Sequence, residues 1–220
     1  MNLHKNNPIF VTGVERSGAS LIARALSMTG GVWTGSMTGM YENFRLKHLC
    51  EDLVSTYSEN LFPEVDKVNM DLKASVEYNL LVQGRNEFDE NPWMFKSSLL
   101  TPLWKLYTDL YPDAVWIVVR RKPTEIVNSC VKTNWMCTFK NPEIRKLVGV
   151  TTEEEGWMWL IHKYEAEWVK MKSHGLNMIF VWPDRVLEND FSQLQSLCTD
   201  LGLSWNQKIE QTLTELIHKK

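Results

Sequence analysis

Residues 8–20 read Pro-Ile-Phe-Val-Thr-Gly-Val-Glu-Arg-Ser-Gly-Ala-Ser, and the fold turns on how this stretch is understood. Pro8 to Val11 is a short apolar run suited to a buried strand, and Ala19 to Met28 carries Leu21, Leu26 and Met28 at helical spacing. Between them Gly13 and Gly18 permit turn dihedrals closed to other residues. A strand, a glycine-bounded turn and a helix start aim backbone N–H groups and the positive helix end at one point. Arg16 adds a planar, permanently charged fork suited to phosphate or sulfate. A nucleotide-hydrolysing phosphate loop reads G-x-x-x-x-G-K-[ST]. Here the glycine spacing and the hydroxyl of Ser20 are kept, while Ala19 stands where the lysine would be. The loop suits an anion but lacks the usual tool for a γ-phosphate.

Outward from the loop, short apolar runs alternate with longer periodic segments, a pattern that predicts a parallel sheet covered on both faces. Trp93 to Lys96, Val115 to Val119 and Asn177 to Trp182 read as strands, and Val32-Trp33, after the Gly30-Gly31 break, as a further short one. Helices are expected over Phe44 to Tyr57, Asp71 to Phe88, Leu99 to Leu110, Thr152 to Lys172, Phe191 to Leu201 and Trp205 to Ile217, with one opening at Pro123. Trp157, Ile161, Tyr164, Trp168 and Met171 form one helical stripe, which reads as core. The expected architecture is a three-layer α/β sandwich around a mostly parallel sheet of about five strands, in the manner of phosphate-loop nucleotide hydrolases. At 220 residues the chain suits a single domain over 1–220.

The net charge of −3 provides no general attraction for nucleic acid or an anionic membrane, so an anion must be held by local cations. Cys50, Cys130, Cys137 and Cys198 show no C-x-x-C pattern, and Cys130 and Cys137 are expected two turns apart on one helix, too far to bridge. They read as reduced thiols of a cytoplasmic protein. No window approaches the ~20 apolar residues needed to cross a bilayer, and the expectation is a soluble protein that is not exported.

A second cationic junction follows the strand at Val115 to Val119, where Arg120-Arg121-Lys122-Pro123 leads through T-E-I-V-N to Ser129. Two such junctions at the carboxyl ends of parallel strands fit the rule that open sheets bind ligands along that edge. Either arginine can supply the charge.

At this point the chain resembles the sulfotransferases that use 3′-phosphoadenosine 5′-phosphosulfate (PAPS). G-V-E-R-S-G-A-S is similar to that family's 5′-phosphosulfate loop, and R-K-P-T-E-I-V-N-S to its 3′-phosphate motif. Asn177 to Leu203 is similar to a late strand, acidic turn and helix ending in Leu-Gly-Leu. The resemblance implies that Arg16, Ser17, Gly18, Ala19 and Ser20 hold the 5′-phosphosulfate and that Arg121 and Ser129 hold the 3′-phosphate. It implies sulfuryl transfer to a hydroxyl or amine of a small-molecule or carbohydrate acceptor, in line, with no metal required. Guanidinium and ammonium groups and backbone amides would stabilise the charge.

The chain departs from the family at Lys96-Ser97-Ser98, which aligns with a Lys-Thr-His whose histidine is the base. Ser98 cannot take that role unaided at neutral pH. Lys96 remains a candidate cation for the phosphosulfate. A carbohydrate-acting branch uses a glutamate downstream of the first helix, which makes Glu42 the candidate base, with His48 in reserve. The catalytic set is thus Glu42, Lys96 and Arg16. Glu15 stands where the family often has proline and brings negative charge to an anion loop. A small-molecule kinase on the same architecture and a non-catalytic nucleotide-binding module are the competing classes. Ala19 argues against the first and the missing histidine keeps the second open. Trp135, Trp157 and Trp159 are candidates to line an acceptor pocket, although core packing also accounts for such residues.

Overall fold

Four apolar runs become strands: β1 (Ile9–Thr12), β2 (Met94–Lys96), β3 (Val115–Val119) and β4 (Asn177–Val181). They lie in the order β2-β1-β3-β4 and every pair is parallel. The computed structural model describes residues 7–57, 61–62, 65–86, 90–133 and 136–218. His4, Phe88 and Trp135 lie outside the described residues.

Successive side chains of a strand point to opposite faces, and that alternation builds the two cores. Phe10, Phe95, Trp116 and Val118 face one layer, packed against α2 (Phe44–Tyr57), α3 (Leu72–Leu81), α4 (Trp104–Leu110), α5 (Pro123–Lys132) and α7 (Glu153–Ser173). Ile9, Val11, Met94, Ile117 and Val119 face the other, against α1 (Ala19–Ser27), α9 (Ser192–Asp200) and α10 (Gln207–His218). All of β1 and β3 is buried, as expected for central parallel strands whose runs are apolar throughout. The predicted α7 stripe, Trp157, Ile161, Tyr164, Trp168 and Met171, is buried along its length. A capping box between Thr152 and Glu155 opens this helix.

Among the described residues the sheet has four strands rather than about five. Val32-Trp33 does not extend into a strand: Trp33 alone bridges Trp93, and the chain then turns at Gly35 with φ 63°. The helix expected over Leu99 to Leu110 is split, because Pro102 has no N–H to continue a ladder. A 3-10 turn spans Ser98–Leu100 and α4 begins only at Trp104. The helix begun by the Asp71 cap stops at Leu81, where Gly84 at φ 90° lets the Arg85 amide reach back to the Leu80 carbonyl. Cys137 is not on the helix of Cys130, since α5 ends at Lys132. Two short helices with proline at their first turn went unanticipated, α6 (Pro142–Val148) and α8 (Pro183–Leu187).

Candidate functional site

The sheet order decides the geometry of the site. With β1 between β2 and β3, the residues following three neighbouring strands meet at one carboxyl edge. These are the loop Gly13 to Gly18, the segment Lys96 to Ser98, and Arg120 to Lys122.

The first loop is tightly specified. A Cβ on Gly13 would lie 2.5 Å from Ser17 Oγ and 2.6 Å from the Val119 carbonyl oxygen, so only glycine lets β1 and β3 run this close. Arg16 (φ 66°) and Gly18 (φ 93°) both take left-handed conformations, and a Cβ on Gly18 would also meet Pro183 at 2.8 Å. Gly18 is the N-cap of α1 and brings no side chain to the helix's first amides. Such an end suits an anion. The Ser17 amide donates to the Val14 carbonyl (3.0 Å), and its hydroxyl is buried beneath the loop with no hydrogen-bond partner among the described residues.

The Arg16 guanidinium crosses to the second motif, where Nε donates to Ser129 Oγ at 3.0 Å. The two cationic segments, 113 residues apart in the chain, are therefore in direct contact. The adjacent arginines separate by direction. Arg120 turns to α7, pairing with Glu165 at 2.8 Å and lying over the Trp182 ring. Arg121 faces the cleft, held by Asp184 at 3.2 Å and Glu125 at 3.4 Å.

Lys96, at the end of β2, is buried and donates to Glu42 Oε1 at 3.0 Å, the Glu42 side chain being only slightly exposed. Glu42 precedes the first turn of α2, whose cap is Asn43 accepting from the Leu46 amide. A left-handed residue, Tyr41 (φ 58°), delivers the carboxylate toward the sheet edge. The Glu15 carboxyl lies with these groups. Burial pushes it above the usual carboxylate range, opposed by its own backbone amide, a hydrogen bond with Ser98 and the Lys96 charge.

These residues line a cleft of about 730 Å³, within the range of small-molecule sites. Arg16, Gly18, Ala19, Ser20, Glu42, Lys96, Arg121 and Ser129 all line it, whereas Ser17 does not. His48 stays outside, exposed and paired with Glu51. Trp157 is core and Trp159 packs against it, so neither lines the cleft. The sequence reasoning missed Asn128 and Lys132, although they share with Glu125 and Ser129 one face of α5 by helical spacing. It also missed Lys47 of α2 and the α8 residues Pro183 and Leu187. Pro183 at the helix start was an available signal for α8.

A family model described as "Sulfotransferase family" matches residues 8–207, from just before β1 to the first residue of α10. The chain belongs to the sulfotransferase family. Both cationic loops and the whole cleft of this sulfotransferase-family chain fall inside the matched span. Among solved structures it is similar to sulfotransferase STF9 from Mycobacterium avium at 12% identity, covering 99% of this chain and 70% of that one with a TM-score of 0.58. Sulfotransferase STF1 from Mycobacterium tuberculosis is similar at 16% identity, covering 95% and 71% with a TM-score of 0.56. The sulfotransferase domain of a Synechococcus olefin synthase is similar at 14% identity, covering 95% and 78%, also at 0.56. At these identities the likeness is one of fold. No curated protein matches the sequence. No helix among the described residues is long and apolar enough to cross a membrane.

Proposed function

We propose that this chain is a transferase that moves a sulfuryl group from PAPS to a hydroxyl or amine of a small-molecule or carbohydrate acceptor. The observation that carries this reading is the Arg16–Ser129 bond, which joins two anion-holding junctions in one cleft. A donor bearing phosphate at both ends needs two such junctions. The residues fit it: a cradle closed to any Cβ at Gly13 and Gly18, a helix end without a side-chain cap, and two cleft-lining guanidinium groups.

Arg16, Ser20 and the amides around Gly18 and Ala19 would hold the 5′-phosphosulfate, and Arg121 with Ser129 the 3′-phosphate. When bound, PAPS supplies the sulfuryl group and a stable bisphosphate leaving group. Lys96 and Arg16 stabilise negative charge where it builds up during in-line transfer. Glu42, held 3.0 Å from the Lys96 ammonium, takes the proton of the acceptor. The ammonium and the carboxylate are thus positioned as one unit before substrates arrive. Ser17 contributes by supporting the loop from below, since its amide and hydroxyl are both turned inward. Buried Cys50, Cys130 and Cys198 and exposed Cys137, none in a disulfide, support a cytoplasmic setting.

Titration with 3′-phosphoadenosine 5′-phosphate, the desulfated donor, against ATP with Mg²⁺ tests the reading. The desulfated donor is expected to bind better. Arg121→Ala is expected to weaken it about 10- to 100-fold, since hydrogen bonds to a charged group contribute ~1.5–3 kcal/mol. A preference for ATP overturns the proposal in favour of a kinase.

A further inference from the structure

Glu15 has no role in the chemistry just described, yet it sits in the loop that receives the anion. Its Oε2 is buried and has no hydrogen-bond partner among the described residues. The groups around it come from every neighbouring element: Lys96 from the end of β2, Ser98 from the 3-10 turn, and Glu42 from the turn before α2. Tyr164 of α7 and Cys130 of α5 also feel its charge, Cys130 Sγ lying 4.0 Å from the Glu15 carbonyl oxygen, and Arg16 follows it in the loop. Lys96, the ammonium among these groups, is already bonded to Glu42 at 3.0 Å. Two carboxyl groups therefore share the Lys96 ammonium in one corner of the cleft, while Lys47 of α2, paired with Glu51, also feels the Glu42 charge. An arriving anion brings further negative charge to the same corner. Like charges in one site disfavour joint ionisation, and burial already favours the neutral form of this carboxyl.

We propose that the cleft takes its anion with Glu15 as the neutral acid, one proton from solvent being bound at Oε2 as the anion enters. A neutral Glu15 leaves the loop without the negative charge by which an ionised Glu15 would repel the ligand. A carboxyl held neutral at neutral pH by its surroundings is an established device of anion-stabilising sites. The inference rests on the cleft being the anion site proposed above, but not on the donor being PAPS.

The probe is inorganic sulfate, which keeps its charge across the neutral range, titrated by tryptophan fluorescence from about pH 5.5 to about pH 8.5. The wild-type Kd is expected to rise, approaching tenfold per pH unit, on the alkaline side of the Glu15 titration. The Kd of Glu15→Gln is expected to stay flat and low, because the amide is neutral at every pH. Calorimetry of the wild type with sulfate in two buffers of different ionisation enthalpy is expected to show proton uptake, and it needs no variant to fold. Parallel pH profiles in wild type and Glu15→Gln, no proton uptake at any pH, or no sulfate binding by the wild type each overturn the inference. Linked sulfate binding without binding of 3′-phosphoadenosine 5′-phosphate supports the inference and refutes the donor assignment.

Discussion

Replacing Lys96 by methionine keeps the length and apolar stem of the side chain and leaves the Glu42 carboxylate alone. The two side chains are 9% and 14% exposed and 3.0 Å apart, so water replaces little of what the ammonium supplied. Removing one partner of a buried pair costs ~3–5 kcal/mol, because the remaining charge stays desolvated and unpaired. The slight exposure of both groups puts the expectation at the lower end, ~3 kcal/mol. In a chain of this size each kcal/mol lowers Tm by ~2–4 °C, so the loss is ~6–12 °C. The double variant Lys96→Met/Glu42→Gln removes the stranded charge and is expected to recover most of the stability. Urea unfolding of the wild type, both single variants and the double variant closes the cycle. A single-variant loss under ~1 kcal/mol, or a double variant no more stable than Lys96→Met, refutes the claim that these groups form a buried, mutually dependent pair.

Gly13→Ala drives a Cβ against the Val119 carbonyl, which as backbone cannot swing aside. A loss of ~1–3 kcal/mol in urea unfolding is expected, together with weaker sulfate binding, and an unchanged midpoint contradicts the packing described. Thr152→Ala removes one half of the α7 capping box and is expected to cost ~1 kcal/mol, read as a Tm lower by ~2–4 °C with the cleft unaffected. Burial pushes the Cys50 and Cys130 thiols up to about 12 and Cys198 to about 11. With Cys137 exposed, a thiol reagent near pH 8 is expected to titrate about one thiol in the native protein and all four in denaturant. Glu15, raised in the folded state, contributes stability while protonated and loses it as pH rises from the ordinary carboxylate range through its raised value. Glu15→Gln is therefore expected to gain on the wild type over that window, by up to ~1.4 kcal/mol for each unit of the rise, as read from urea midpoints across pH.

Much of the site was legible because its signals are local. Gly18, at φ 93°, marks a turn that strains other residues, and Val115 to Val119 is apolar throughout as a doubly covered strand must be, whereas the need for glycine at 13 comes from the Val119 carbonyl of β3. The pairing of Arg121 with Ser129 came from the resemblance to the 3′-phosphate motif, since Arg121 precedes α5, which begins at Pro123. Misreadings arose where a local signal was outweighed or overlooked. Val32-Trp33 has strand-forming residues but makes only the Trp33 bridge before the Gly35 turn. Pro102 broke a segment whose apolar pattern ran on, and Pro183 opened a short helix that no periodicity announced.

By itself the sequence determined that this protein has a glycine-bounded loop suited to an anion after its first strand, a second cationic junction before α5, and no lysine at the position that serves a γ-phosphate. Dihedral freedom, side-chain charge and helical repeat are properties of a few neighbouring residues and can be read without a fold. Only the tertiary structure decided that Arg16 meets Ser129, that Arg120 turns to Glu165 while Arg121 faces the cleft, and that Lys96 holds Glu42. It also decided where Glu15 points, placing the carboxyl beside Ser98. The physical reason is the strand order, since setting β1 between β2 and β3 brings together side chains that are far apart along the chain.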